Sequence, residues 1–165
     1  VANTFSVTYD RTTKVVSALA VVTLLSIVLV THSGAVGPLA TLIVFLSYGY
    51  SPCGYTLSNR ALTVKRLIGN VHIGLDHLQE VRTAGAGDLK WAVRLWGSGG
   101  LFGYYGLYRT AGLGKCTWYV TDRGKCVVLI TGEKTAVLSP NDVEGFIAAI
   151  RAADYTQKIA DRRDE

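Results

Sequence analysis

The sequence predicts a membrane-anchored α+β protein, in which a two-helix transmembrane hairpin is followed by an antiparallel β-rich domain closed by a C-terminal helix. Three observations carry this. Residues Val15 to Tyr50 contain no Asp, Glu, Lys or Arg. From Gly54 onward the apolar period changes from helical to alternating. Ser139-Pro140-Asn141-Asp142 then opens a stretch in which Val143, Phe146, Ile147 and Ile150 recur at helical spacing.

The uncharged stretch divides into two runs, at about 15–31 and about 35–50. Soluble domains need charge to solvate turns and outer faces, so a run of this kind points to lipid. Ser17, Thr23 and Ser26 do not form a polar stripe, and their hydroxyls are tolerated in a membrane helix by bonding back to carbonyls. Gly37-Pro38 marks the start of the second helix. Arg11 and Lys14 precede the pair, Arg60, Lys65 and Arg66 follow it, and the linker Thr31-His32-Ser33-Gly34 has no Lys or Arg. Both termini are therefore expected in the cytoplasm, on the inner side of the cell membrane. Tyr48, Tyr50 and Tyr55 are expected at the interface. A secretory signal is the competing reading of the first run, but the second run must be buried in either case. The division expected is 1–53 for an N-terminal arm and the hairpin, and 54–165 for the β domain and its helix.

In that domain Tyr55–Ser58 and Ala61–Arg66 read as a hairpin about Asn59-Arg60, followed by strands around Val71–Leu75 and Leu78–Thr83. Gly103–Thr110, Lys115–Thr121, Lys125–Thr131 and Thr135–Leu138 continue the pattern. Asp122-Arg123-Gly124 predicts that the strands on either side pair antiparallel. Cys116 would then lie about 13–16 Å along the strand from Cys126, beyond the roughly 7 Å Cα separation of a disulfide. All three cysteines are expected as reduced, apolar-packed thiols. At the final helix Ser139 is the expected N-cap and Pro140 the first helical residue.

The run Arg94-Leu95-Trp96-Gly97-Ser98-Gly99-Gly100-Leu101-Phe102-Gly103-Tyr104-Tyr105-Gly106, the later Trp118-Tyr119-Val120-Thr121, and Leu138-Ser139-Pro140-Asn141-Asp142 with Phe146 resemble the bacterial PH-domain family that follows paired membrane helices. The resemblance covers roughly Tyr55 to Arg151. It implies a PH-like antiparallel β-barrel with its C-terminal helix as a plug, and a membrane setting. It implies no reaction.

Catalytic chemistry finds little support in the residues. The glycine-rich run has Phe102 where a dinucleotide fingerprint needs its third glycine, and no Gly-Lys-Ser/Thr follows. Asp76 and His77, adjacent in an extended chain, point to opposite faces. Asp142 and Glu144 belong to a helix start. The chain is expected to be no enzyme, with no cofactor and no metal site, since its histidines are scattered and its cysteines lack ligand spacing. A net charge of +5, from 17 basic and 12 acidic residues without a basic run, argues against a nucleic-acid partner.

The expected function is that of a non-enzymatic binding or scaffolding domain held at the cytoplasmic membrane surface, with membrane lipids and other protein subunits or itself as partners. The alternatives are a structural accessory subunit of a larger membrane complex and an anionic-lipid sensor. Trp96, Phe102, Tyr104 and Tyr105 are the candidate partner interface, as an aromatic edge on a glycine-rich loop. Arg60, Lys65, Arg66, Lys90 and Arg94 are the candidate headgroup contacts, each worth on the order of 1 kcal/mol near an anionic surface.

Overall fold

Among the described residues the chain forms two sheets, three helices and two apolar cores, and the first two helices meet the sheets at one end. A computed structural model describes residues 3–31, 34–58 and 61–161, with side chains to residue 156. In chain order the elements are β1 (Asn3–Ser6), α1 (Arg11–Thr31), α2 (Val36–Gly49), β2 (Pro52–Leu57), β3 (Ala61–Arg66), β4 (Val71–Gly74), β5 (Leu78–Thr83), β6 (Val93–Gly100), β7 (Gly103–Thr110), β8 (Gly114–Val120), β9 (Val127–Thr131), β10 (Thr135–Leu138) and α3 (Val143–Asp161). The expected turn at Asn59-Arg60 and the linker residues His32 and Ser33 lie outside the described residues.

One sheet has the order β1-β2-β3-β4 and the other β5-β9-β10-β8-β7-β6. Alternation places Leu62, Val64, Ile73, Val127, Leu129 and Leu138 in the core between them, and Phe146 and Ile150 of α3 close it. Tyr55, fully buried, ties the sheets together: its hydroxyl donates to the Tyr119 carbonyl (2.5 Å) and accepts from the Ser139 N–H (3.0 Å). It is a core residue and not the interfacial aromatic expected, because β2 turns it inward. On the other face of the larger sheet Tyr104, Tyr108, Cys116, Trp118, Val120 and Val137 form a second core under the segment 84–92. That segment is braced by Asp88, which pairs with Arg82 and accepts the Gly85 N–H at 2.6 Å. The Arg82 guanidinium holds the Asp88 carboxyl below the usual carboxylate range.

Several expectations are corrected. The strands flanking Asp122-Arg123-Gly124 do not pair with one another. β10 hairpins back on β9 and enters between it and β8, pairing with β9 antiparallel and with β8 parallel. The sheet is thus not wholly antiparallel. The glycine-rich run is not a loop but strand β6, paired along β7 from Val93↔Arg109 to Gly100↔Gly103. Residues 3–6 do not belong with the hairpin either, since β1 pairs with β2 through Asn3↔Leu57 to Ser6↔Gly54. The final helix begins at Val143, capped by Asp142, whose carboxylate accepts the Gly145 N–H at 2.9 Å. Ser139 instead accepts the Thr121 N–H at 2.8 Å, because the chain is still leaving the sheet there.

α1, with 21 residues, is long and apolar enough to cross a membrane by length and composition. α2 is shorter than expected, at 14 residues. Apolar side chains of both helices are exposed on several sides, including Leu19, Val22, Leu25 and Leu29 of α1 and Leu39, Leu42 and Phe45 of α2. Core helices of a soluble domain bury such residues.

The cysteines yield a direct expectation. All three are free; Cys53 is exposed, whereas Cys116 and Cys126 are buried. Burial pushes the Cys126 thiol up to about 12, and Asp122 adds to the effect. A thiol reagent at pH 8 should therefore modify one cysteine per folded chain, Cys53, and three after denaturation. Modification of two or more in the folded protein would contradict the packing of the second core.

Candidate functional site

The residues with most structural consequence lie where the sheets meet the helix ends. Glycine and small hydroxyl side chains permit this close approach. Ser17 is buried, its hydroxyl donating to the Gly100 carbonyl (3.4 Å) and accepting the Phe102 N–H (2.8 Å). The fully buried Ser51 donates to the Phe102 carbonyl. Ile68, in the β3–β4 turn, donates its N–H to the Gly49 carbonyl at 2.8 Å and covers Gly49, where a Cβ would fall 2.3 Å from the Ile68 side chain. Asp10 caps α1 by accepting the Thr13 N–H (2.6 Å), while its own N–H donates to the Thr121 carbonyl (3.1 Å). The domain is thereby bonded to the ends of both helices.

The four expected interface aromatics separate. Trp96 is 80% exposed. Phe102, at the β6–β7 tip with φ +54°, is partly buried and meets the Tyr48 ring edge-on at 5.4 Å, so it wedges against the helices of its own chain. Tyr104 and Tyr105 are both buried, and neither forms part of an exposed edge. Tyr104 points into the second core, whereas Tyr105 is covered by the helix base and donates its hydroxyl to the Ser47 carbonyl at 2.6 Å. Burial pushes the Tyr105 phenol up, which keeps that donor proton in place.

The basic candidates also divide. Arg66 and Arg94 line one cleft of about 930 Å³, with Tyr50, Trp96, Tyr105 and Leu46, beside the helix ends. Arg66 Nε donates to the Gly69 carbonyl at 2.7 Å, and its guanidinium lies 5.6 Å from the Tyr50 ring centre. Lys65 is exposed on β3. Lys90 is exposed in the turn before β6, at the opposite end of that strand from Gly100, and is not brought to the cleft. Arg60 lies outside the described residues. Sequence reasoning missed Arg123, which reaches a second cavity together with Arg94. The signal available was Trp118, two residues before the end of β8, but only the fold brings Arg123 over its ring, at 6.0 Å.

A family profile described as the bacterial PH domain covers residues 53–153. The chain belongs to the bacterial PH-domain family. No curated protein and no solved structure matches the chain. The PH domain as matched runs from within β2 to within α3. β1 and both apolar helices precede it, so this chain adds a strand to the PH-domain sheet from the far side of the helices.

Proposed function

We propose that this chain is a non-enzymatic, membrane-tethered PH-domain protein that presents a binding surface at the cytoplasmic face. One observation carries the reading: β1 and β2, on either side of the helical pair, are hydrogen-bonded strands of one sheet. That pairing requires both ends of the hairpin to lie on the same side of any membrane it enters. Arg11, Lys14, Lys65 and Arg66 at those ends favour the cytoplasmic side. Exposed apolar residues along α1 and α2 support insertion in lipid. Binding is favoured over catalysis because the shifted tyrosines and cysteines are all pushed up by burial, the direction that disarms a nucleophile.

The test uses wild-type protein and Gly34→Cys, a position where an added side chain meets open space. On intact cells a membrane-impermeant maleimide should label Gly34→Cys and leave wild-type Cys53 unlabelled until the cells are opened. Labelling of Cys53 from outside would overturn the orientation. A specific observation supports a shallower insertion: α2, at 14 residues, rises about 21 Å, less than the roughly 30 Å hydrocarbon core. A carbonate-resistant membrane protein in which neither thiol is labelled from outside would establish that re-entrant form and exclude two full crossings.

Anionic lipid is a second reading, favoured by Arg66 and Arg94 sharing the cleft beside the helix ends. Two such groups orient a domain that the helices already hold.

A further inference from the structure

β6 is one of the two outer strands of the six-stranded sheet, at the opposite edge from β5. From Val93 to Gly97 its residues are exposed, and Val93, Leu95 and Trp96 stand 59%, 51% and 80% open. Sheet edges are ordinarily blunted by Lys, Pro or a covering element. α1 covers the Gly100 end of β6, but from Val93 to Gly97 the strand has no such device apart from a bulge between Arg94 and Trp96, and it carries only one charge. Trp91, just before it, is 85% exposed and held at φ +52°, a conformation costly for a bulky side chain.

Along the flank of this strand lies a cavity of about 320 Å³, bordered by Ala92, Arg94, Tyr104, Tyr108, Trp118 and Arg123. Its floor is aromatic. Tyr108 and Trp118 stack at 4.4 Å, and the Arg123 guanidinium sits 5.3 Å from the Tyr104 ring centre. No carboxylate among the described residues lines it. Among the described residues neither Arg94 nor Arg123 forms an ion pair like those of Arg82 with Glu80 and Asp88. Asp10 and Asp122 lie near Arg123, but their oxygens accept backbone N–H groups of Thr13, Arg123 and Gly124. Two guanidinium groups thus border a half-enclosed cavity whose described lining has no carboxylate, while the nearby Asp10 and Asp122 are held by backbone N–H groups.

We propose that β6 receives an extended segment of a partner protein as an added strand, and that a carboxylate of this segment enters the cavity between Arg94 and Arg123. This rests on the reading of the chain as a binding domain and specifies the partner's chemistry. A protein segment fits better than a lipid because the unpaired N–H and C=O groups of an edge need backbone partners, which an acyl chain lacks. It also fits better than a second copy: β6 contains no acidic residue, so two β6 edges would bring Arg94 toward Arg94. An acidic segment supplies charge-assisted, bidentate bonds to the guanidinium groups, while its apolar residues cover Leu95 and Trp96.

The test places the photo-crosslinking residue p-benzoylphenylalanine at Leu95 of the full-length protein in the cells that make it, with Tyr155 and Leu67 as probe positions elsewhere. The expected adduct at Leu95 maps to an Asp- or Glu-containing segment of another protein. Its yield should fall about tenfold in Arg94→Glu and in Arg123→Glu, and stay within about threefold in Arg94→Lys. Arg94 is exposed, so the melting temperature of Arg94→Glu should match the parent. Adducts with a second copy, with lipid alone, no adduct, or a yield unchanged by Arg94→Glu would each overturn the proposal. If Tyr155 or Leu67 still captures a protein in those cases, the binding reading stands and the β6 assignment falls. If no position captures a protein, both fall.

Discussion

Gly106→Ala is expected to be among the most damaging single substitutions in this chain, destabilising the β domain by about 3 kcal/mol or more. Gly106 sits at φ +119°, and a Cβ there would lie 2.3 Å from the Trp96 carbonyl oxygen and 2.8 Å from the Gly97 Cα. Its strand partner Gly97 has the reciprocal problem, at φ +108° with a Cβ 2.1 Å from the Tyr105 carbonyl oxygen. These obstacles are backbone atoms on both sides, so no side-chain rotation relieves them. Strain at the positive φ and overpacking each contribute about 1–3 kcal/mol, and the cheapest relief is to detach β6 from β7. Gly87→Ala, where an added Cβ meets nothing within 4 Å, is the matched control. Thermal unfolding of the detergent-solubilised protein should separate the two by many degrees. A Gly106→Ala protein as stable as Gly87→Ala would show that β6 and β7 do not cross as closely as described.

Phe146→Ala should cost about 3–5 kcal/mol, the range for truncating a buried aromatic ring. Phe146 is fully buried in the core between the sheets. Its ring meets Phe5 edge-on at 5.0 Å and Tyr55 at 5.7 Å. Phe5 belongs to β1, a strand of four residues, and pairs there with Tyr55. Removing the Phe146 ring therefore has a second expected consequence, faster proteolysis of the N-terminal arm before α1. Loss of stability with an unchanged rate of cleavage there would mean that β1 is held by its backbone ladder and not by this contact.

Much of the domain was legible because its strands bury one face and obey a two-residue period. β3 falls at the expected residues for that reason, with Leu62 and Val64 buried between more exposed neighbours, and α3 shows a three-to-four residue period at Val143, Phe146, Ile147 and Ile150. The misses share a different cause. β1 is too short to carry a pattern and becomes a strand only by pairing with β2, across the intervening helices. β6 is rich in glycine and exposed along most of its length, so its composition resembles a loop while its hydrogen bonds are those of a strand. The parallel β8–β10 pair depends on which of two distant strands enters the gap, which no local turn specifies.

At the candidate site the alternation rule misled in a specific way. It assumes one dry face and one wet face. Here Tyr104 meets the second core and Tyr105 meets the helix base, so adjacent residues on opposite faces are both buried. Arg123 was invisible for the converse reason: its role depends on a ring contact with Tyr104, nineteen positions earlier in the sequence.

The hydrogen bonds between Asn3–Ser6 and Gly54–Leu57 enclose both apolar helices within a single sheet. During synthesis β1 is made before β2, and on the proposed membrane-tethered reading its partner emerges only after the helical pair has been handed to lipid. On that reading the strand pair is a check on insertion. A chain whose second helix failed to return would leave Phe5 on the wrong side of the bilayer from Phe146, with β2 a bare sheet edge open to aggregation and proteolysis. On that reading, insertion of the helical pair and completion of the β1–β2 sheet are one coupled step.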